Sequence, residues 1–234
     1  MNLYKKIMNE LTLIIPAKEE SNSLPKVLEE VKKLELKKLI VLAKNDYETI
    51  NSIKDKDCEI LFQTGKGYGN AIREGILKSK TEYIAIFYAD GSTDPKDLVP
   101  MLNKIKHSDN QIIFGSRYEK NAGSFDDNFV TRVGNFFFTF FGNIFFSLNI
   151  SDILFTYIVA KKKAIDVLKL ESDDYCLCVE IPLKAKKMNI KYSTHPCMER
   201  ARIADKKKVK AFSDGLKILN YLVKNLLFNS VNRK

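Results

Sequence analysis

The sequence lacks the features that would divide the chain or export it. None of its four cysteines is spaced as Cys-x-x-Cys, and the first residues, MNLYKKIMNELTL, lack the apolar run of a signal peptide. No stretch rich in Pro, Gly and Ser and no internal repeat separates one part from another. These absences favour reduced cysteines, a cytoplasmic location and a single domain over residues 1–234, which is long enough for a sizeable α/β core.

Negative charge is scarce relative to positive charge. The chain has 39 Lys and Arg against 29 Asp and Glu, a formal net charge of +10, and residues 184–210 alone hold ten basic residues against two acidic ones. This excess suggests a phosphate-rich partner such as an anionic membrane surface, a sugar nucleotide or nucleic acid, unless it is only a solvated face. Nucleic acid is the least favoured, because no aromatic stacking residues are interleaved with the basic run.

Apolar runs of strand length alternate with helical patterns along the first half of the chain. The runs comprise residues 11–15, 39–43, 59–63, 83–87 and 111–114, and helical spacing is found at 24–34 and 95–105. Later runs at 157–160 and 190–196 are expected to return to the same sheet. The pattern predicts an α/β fold with a doubly wound, mostly parallel sheet and flanking helices.

Residues 63–95 carry the strongest functional signal. Gly65, Lys66 and Gly67 form a turn before a helical pattern, and a helix N-terminus with a lysine beside it suits a phosphate, although a plain tight turn is the simpler interpretation. The apolar run 83–87 then delivers Asp90 to a turn. A carboxylate at the carboxyl end of a strand lies where open α/β sheets bind ligands.

Five motifs in order resemble the inverting family 2 glycosyltransferases of the GT-A fold, particularly the dolichyl- or polyprenyl-phosphate sugar synthases. They are residues 15–20 (IPAKEE), 65–67 (GKG), 88–90 (YAD), 115–118 (GSRY) and the basic segment that contains Arg202 and Lys208. Tyr88 stands where the family has the first Asp of a pair, and Leu42-Ala43 stand where two aspartates usually contact the base and ribose, unless Asp46 replaces them. The resemblance implies a nucleotide-sugar donor and a divalent cation, Mg²⁺ or Mn²⁺.

The resemblance also implies a role for individual residues on the donor side. Asp90 is expected to hold the metal and to be catalytic. The expected nucleotide contacts are Pro16, Ala17, Glu20, Lys66, Gly67, Ala89, Asp90, Arg202 and Lys208. Residues 11–115 would thus form the nucleotide-binding half of the domain.

Residues 116–210 would form the acceptor-side half, followed by an amphipathic helix at 211–234. Arg117 and Arg132 are expected to be catalytic by holding an acceptor phosphate, for which the arginine fork is well suited. Asp152 and Glu180 are further acceptor-side candidates. Either could serve as general base if the acceptor is a hydroxyl rather than a phosphate.

Seven of the fifteen residues at 136–150 are Phe, and polar residues form a narrow stripe among them at helical spacing. The stripe consists of Asn135, Thr139, Gly142, Asn143 and Ser147. The pattern predicts an amphipathic helix that is shorter than the roughly 20 residues that span a bilayer. Burial in the core and location in a membrane interface are both compatible with it. With the helix at 212–231 and the basic segment 184–210, the second alternative predicts peripheral binding to an anionic membrane.

Three functions are compatible with these observations. The favoured one is an inverting glycosyltransferase that moves a sugar from a nucleotide sugar to a polyprenyl-phosphate lipid at the membrane surface. The second is a soluble glycosyltransferase with a hydroxyl acceptor, and it would need Asp152 or Glu180 as base. The third is a catalytically lapsed nucleotide-binding module, which Tyr88 and Leu42-Ala43 bring into consideration.

Overall fold

Seven strands pair into one mixed sheet in the computed structural model, which describes residues 9–204 and 211–231. They are β1 (Leu11–Pro16), β2 (Lys37–Leu42), β3 (Glu59–Phe62), β4 (Tyr83–Ile86), β5 (Ile112–Ser116), β7 (Ile158–Lys161) and β8 (Tyr192–Pro196). Two short strands, β6 (Gly123–Ser124) and β9 (Met198–Glu199), pair separately. The order in the large sheet is β3-β2-β1-β4-β7-β5-β8, and only β7 runs antiparallel to its neighbours. The predicted mostly parallel sheet is confirmed.

Eight α-helices flank the sheet in these ranges. They are α1 (Leu24–Val31), α2 (Tyr47–Ile53), α3 (Tyr68–Lys78), α4 (Leu98–Lys106), α5 (Phe129–Phe146), α6 (Lys162–Val167), α7 (Leu177–Lys187) and α8 (Ala211–Val231), with 3-10 turns at Lys32–Leu34 and Pro95–Asp97. Alternate residues of the strands enter two hydrophobic cores. Ile14 packs into the core that contains Ile72 of α3, whereas Leu13 packs into the core that contains Leu24 of α1. Because both faces are covered, the strands read as continuous apolar runs.

Helix α5 begins seven residues earlier than the sequence pattern predicted, at Phe129 rather than at 136. A capping box explains this start: Asn128 Oδ1 accepts a hydrogen bond from the Thr131 N–H at 2.9 Å, and Thr131 Oγ1 accepts one from the Asn128 N–H at 3.0 Å. The helix ends at Phe146 because Ser147 adopts the left-handed conformation, with φ of 52°.

The carboxyl ends of β1, β2 and β4 meet at one edge of the sheet, since these strands are parallel neighbours. This edge receives the loop after Pro16, the loop after Leu42 and the turn that contains Asp90. The segment at 200–204 lies across the same edge, where the Ile203 N–H donates to the Asp90 carbonyl oxygen at 2.9 Å. The sheet therefore gathers residues from four distant parts of the sequence.

The amino-terminal end of α3 is covered by the backbone of residues 172–174. The Asn70 N–H donates to the Asp173 carbonyl oxygen at 3.1 Å. A Cβ atom at Gly67 would overlap this oxygen, and one at Gly69 would overlap the Ser172 carbonyl oxygen. Gly67 also has φ of 103°, which favours glycine. Close backbone packing therefore requires both glycines.

We expect Gly67→Ala to lower the free energy of unfolding by about 2–5 kcal/mol, because the left-handed φ and the overlap with residue 173 both oppose a Cβ. Urea denaturation measures this change. Gly134→Ala in α5 is the matched control: a Cβ there meets no atom within 4 Å, so stability should stay the same or rise by up to about 1 kcal/mol. Equal stability of Gly67→Ala and the wild type would contradict the packing argument.

Candidate active site

Asp90 lies in the turn after β4 and is nearly buried. Its Oδ1 accepts hydrogen bonds from the Ser92 N–H at 2.9 Å and from Ser92 Oγ at 2.7 Å. Its Oδ2 lies 2.6 Å from a terminal guanidinium nitrogen of Arg202. The turn needs Gly91, whose φ is 81° and whose Cβ would overlap Ile203. The structure thus brings Asp90 and Arg202, two of the predicted donor-side residues, into direct contact.

Arg202 bridges two carboxylates. Besides Asp90, its Nε donates to Asp126 Oδ1 at 3.2 Å and to Asp126 Oδ2 at 3.3 Å. Burial opposes the charged guanidinium, but Asp90 and Asp126 outweigh it and raise the pKa of Arg202. The side chain stays 20% exposed, so the bridge is accessible from solvent.

Tyr88, which replaces the first Asp of the family pattern, points into the protein. Its hydroxyl accepts a hydrogen bond from the Thr156 N–H at 2.9 Å and lies 3.0 Å from Thr156 Oγ1, which in turn lies 2.6 Å from the Tyr68 hydroxyl. Burial raises the pKa of Tyr88 far above its usual range, so the phenol stays neutral. Tyr88 therefore supplies no carboxylate and no anion to the sheet edge.

The donor set at this edge suits a divalent cation only together with a ligand that brings oxygens of its own. Among the described residues, no group of three or more His, Cys, Asp and Glu side chains is arranged to hold a metal. Asp90 offers the single oxygen Oδ2. Mg²⁺ is commonly bound through one or two carboxylates plus substrate phosphates, so Asp90 fits a metal that a diphosphate also coordinates.

The glycine-rich turn differs from its sequence prediction. The N–H groups of Thr64 and Gly65 donate to the Glu74 carboxylate, at 3.0 Å and 3.1 Å. The carbonyl oxygen of Asp173 accepts a hydrogen bond from the Asn70 N–H. These three N–H groups already have acceptors, so they are not open to a phosphate, contrary to the prediction. Lys66 and Gly67 remain exposed, so their contact with a nucleotide stays a prediction.

Arg117 is buried among three carboxylates. Its Nε donates to Asp152 Oδ2 at 2.7 Å and a terminal nitrogen donates to Asp152 Oδ1 at 3.0 Å. The other terminal nitrogen lies 3.1 Å from Glu199 Oε2 and 3.5 Å from Asp127 Oδ1. The guanidinium carbon also lies 4.7 Å from the centre of the Phe155 ring. Instead of facing an acceptor phosphate as predicted, Arg117 ties three chain segments together.

The family model described as "Glycosyl transferase family 2" matches residues 12–168, more than half of the chain. This chain belongs to glycosyl transferase family 2. It is therefore an enzyme that transfers a sugar from a nucleotide-sugar donor, as the five motifs suggested.

Two curated relatives and one solved structure illustrate the relationship. The enzyme is 23% identical over 222 residues to the low-salt glycan biosynthesis hexosyltransferase Agl6 of Haloferax volcanii. The alignment covers 92% of this chain and 53% of that protein. It is 29% identical over 129 residues to the dolichyl-phosphate beta-glucosyltransferase of Dictyostelium discoideum. That alignment covers 46% of this chain and 39% of the relative. The chain thus spans about half of the first relative and less of the second.

The solved structure is glucosyl-3-phosphoglycerate synthase from Mycobacterium tuberculosis in complex with Mn²⁺, UDP and glucosyl-3-phosphoglycerate. It matches with a TM-score of 0.73 at 10% sequence identity, covering 95% of this chain and 81% of that one. The likeness confirms the GT-A fold of the family 2 enzyme.

Several predicted donor contacts have structural partners instead. Glu20 is buried and accepts a hydrogen bond from Ser23 Oγ at 2.6 Å, while its N–H donates to Thr49 Oγ1 at 2.9 Å. Asp46, the possible base reader, caps α2 through Thr49 and accepts from the Glu19 N–H at 2.7 Å. These contacts shape the loops of the glycosyltransferase. Neither carboxylate is therefore open to a nucleotide, contrary to the expectation for Glu20.

The remaining donor-side candidates divide into three groups. Ala17 and Ala89 are buried, and the Ala17 N–H donates to the Val41 carbonyl oxygen at 2.9 Å. Pro16 is half-buried at the end of β1. Lys208 lies outside the described residues. Nucleotide contact by these four residues stays a prediction.

Asp152 and Glu180 are not available as general bases. Both oxygens of Asp152 accept from Arg117. Glu180 is fully buried and accepts from the N–H groups of Glu171 and Ser172, both at 2.8 Å, and pairs with Lys184 at 2.7 Å. Burial alone would raise the pKa of Glu180, but these hydrogen bonds lower it, so the carboxylate is a poor proton acceptor.

Helix α5 turns its polar stripe inward and its aromatic face outward. Asn135 Oδ1 accepts from the Leu154 N–H at 3.2 Å, Thr139 Oγ1 from the Ile153 N–H at 3.1 Å, and Asn143 bonds both backbone groups of Ile150. The exposed apolar residues of α5 are Phe129, Val130, Val133, Phe136, Phe137, Phe140, Ile144 and Phe145. Burial of this whole helix in the core, one of the two alternatives, is therefore wrong.

The same helix is long enough to be considered for a membrane span. With 18 residues, α5 is long and apolar enough to cross a bilayer by length and composition alone. Within the part of the chain that the structure describes, 22% of it is buried. The expectation that the Phe-rich helix is too short rested on its predicted start at 136. Arg132 lies in the exposed first turn of α5, with no side-chain partner among the described residues.

We expect Arg117→Ala to lower the free energy of unfolding by about 3–5 kcal/mol, because it leaves buried carboxylates without their cation. Arg117→Lys should be nearly as damaging, since an ammonium cannot bond both oxygens of Asp152 in parallel. Chemical denaturation measures both. Arg132→Ala, which removes an exposed arginine, should change stability by less than about 0.5 kcal/mol. If Arg117→Ala unfolds like Arg132→Ala, the network is not what holds this region.

Proposed function

We propose that this glycosyltransferase transfers its sugar to the phosphate of a polyprenyl-type lipid at the membrane surface. The observation that carries the proposal is the outward aromatic face of α5, which begins two residues after Asp127 and three after Asp126, the partner of Arg202. A lipid acceptor would bring its phosphate to this junction while its chain stays in the bilayer. The name of the Dictyostelium relative, a dolichyl-phosphate glucosyltransferase, supports the same acceptor class.

The same helix supports peripheral association with the membrane surface. An isolated exposed apolar residue is ordinary, but contiguous apolar patches mark interaction sites. Helix α8 adds exposed residues, namely Phe212, Leu216, Val223, Leu227 and Phe228. The polar side of α5 is hydrogen-bonded to residues 150–154, which supports a helix that lies in the interface rather than one that crosses the bilayer.

On the donor side, Asp90 would hold a divalent cation, Mg²⁺ or Mn²⁺, together with the donor diphosphate. The cation would supply positive charge to the leaving nucleoside diphosphate. The M. tuberculosis synthase contains Mn²⁺ and UDP in its crystal structure. Arg202 and the predicted contacts Lys66 and Lys208 would add further positive charge around this leaving group. The contact between Arg202 and Asp90 supports this role.

On the acceptor side, Arg132 would bind the lipid phosphate. It is exposed, lies in the first turn of α5, and has Phe129 and Phe136 one helical turn away on either side. A phosphate is already an anion at neutral pH, so it needs orientation by cations rather than a general base. Arg117 would act as a positioning residue, since it holds Asp127 and Asp152 on the two sides of α5.

A hydroxyl acceptor is the second candidate, and the site geometry disfavours it. That reaction needs a carboxylate that can accept a proton. The two candidates, Asp152 and Glu180, are both committed to buried ion pairs. A phosphate acceptor requires neither of them.

We expect the purified enzyme to bind vesicles that contain anionic lipid, and to bind them more weakly as salt increases. The double variant Phe136→Ser, Phe140→Ser should bind about tenfold or more weakly, because each lost phenyl ring removes apolar contact with the bilayer. Cosedimentation with vesicles measures this. Leu77→Ser on α3 is the control, since Leu77 is 77% exposed but lies on another helix. Equal loss in both variants, or no vesicle binding at all, would contradict the proposed docking face.

We expect Arg132→Ala to lower sugar transfer to polyprenyl phosphate by roughly 30- to 1000-fold, the equivalent of about 2–4 kcal/mol for a charge contact made in the transition state. Donor affinity should stay unchanged, because Arg132 faces the acceptor. Transfer is measured with labelled nucleotide sugars and donor affinity by calorimetry. Full transfer by Arg132→Ala, or its loss in a folded Glu180→Gln variant, would point to the hydroxyl acceptor instead.

A further inference from the structure

Both oxygens of the Asp90 carboxylate have internal partners. Oδ1 receives two hydrogen bonds from Ser92, at 2.9 Å and 2.7 Å. Oδ2 is in contact with the guanidinium of Arg202 at 2.6 Å. Tyr88 contributes no second carboxylate, since its hydroxyl is directed to Thr156. A divalent cation that approaches without other ligands would meet one oxygen that already faces a positive charge.

The geometry points to a further role for Arg202, which rests on the proposed function: it is an internal counter-ion of Asp90 that makes divalent cation binding depend on the nucleoside diphosphate. A cation and a guanidinium at the same oxygen repel each other. A diphosphate changes this balance in two ways. It attracts the guanidinium, whose fork matches phosphate oxygens, and it supplies the missing ligands of the cation.

Two features of Arg202 make the exchange of partners feasible. The side chain is partly exposed, so an incoming diphosphate can reach it. Its Nε also donates to the Asp126 carboxylate. The guanidinium can therefore leave Asp90 and still keep one negatively charged partner. Asp126 lies three residues before α5, so the donor-side exchange takes place next to the start of the aromatic helix.

The test is Mn²⁺ binding, followed by the electron paramagnetic resonance signal of free Mn²⁺, with and without UDP or GDP. Nucleotide should tighten Mn²⁺ binding to the wild type by about 5- to 150-fold, and Mn²⁺ should tighten nucleotide binding by the same factor. Arg202→Gln should raise the affinity for Mn²⁺ alone by about fivefold or more and should reduce the coupling. Lys191→Gln, with the same change of net charge on an exposed lysine just before β8, should bind Mn²⁺ and nucleotide as the wild type does, and Asp90→Asn should abolish Mn²⁺ binding.

An unchanged or lower affinity of Arg202→Gln for Mn²⁺ alone would overturn the inference, as would an equal rise in Lys191→Gln. If the wild type couples Mn²⁺ and nucleotide normally in that case, the proposed function survives. Absence of any Mn²⁺ and nucleotide binding to the wild type would overturn both.

A measurement on the wild type avoids reliance on a variant that could fail to fold. The side-chain ¹⁵N NMR signal of Arg202 should shift when UDP or GDP is added with Mg²⁺, and should not shift with Mg²⁺ alone. A shift with Mg²⁺ alone would show that the cation displaces the guanidinium by itself, and this would overturn the inference. The absence of a shift under both conditions would do the same.

Discussion

The chain segments on either side of α5 in this glycosyltransferase depend on one buried guanidinium. Arg117 faces Asp127, Asp152 and Glu199, so three carboxylates share a single cation. Buried charges are tolerated only when they are paired and hydrogen-bonded. Burial raises the pKa of Glu199, whereas Arg117 and a hydrogen bond from Ser124 lower it. The network holds the segments before and after α5 together, and it thereby fixes the positions of the chain at both ends of this helix.

Two neighbouring carboxylates connect this network to Asp90. Asp127 contacts Arg117, and Asp126 contacts Arg202, which also contacts Asp90. The chain just before α5 is therefore linked by charge to the turn at the end of β4. Hydrogen bonds join α5 to residues 150–154, beside apolar contacts in which Phe138, Ile150 and Ile153 share one hydrophobic core. The apolar residues on the opposite face of α5 are left exposed.

Much of the fold and part of the site were predictable from local patterns. The apolar runs and turns placed the strands, and the end of β4 placed Asp90 at the edge where it lies. The predictions that did not hold concern carboxylates and cations whose partners are distant in sequence. Glu199 lies 82 residues from Arg117, and Thr49 lies 29 residues from Glu20. The sequence around a charged residue does not show whether a ligand or another side chain neutralises its charge.

The sequence by itself determined the strand and helix periods, the family and the positions of the glycines, because these depend on backbone conformation and on alternation along a local stretch. Only the tertiary structure decided which side of α5 faces outward and which charges are already paired. Periodicity divides a helix into two faces but does not tell which of them is covered. In this enzyme Asn135, Thr139 and Asn143 have hydrogen-bond partners in residues 150–154. The polar face therefore turns inward, because backbone groups in the protein replace the water that it would otherwise bind.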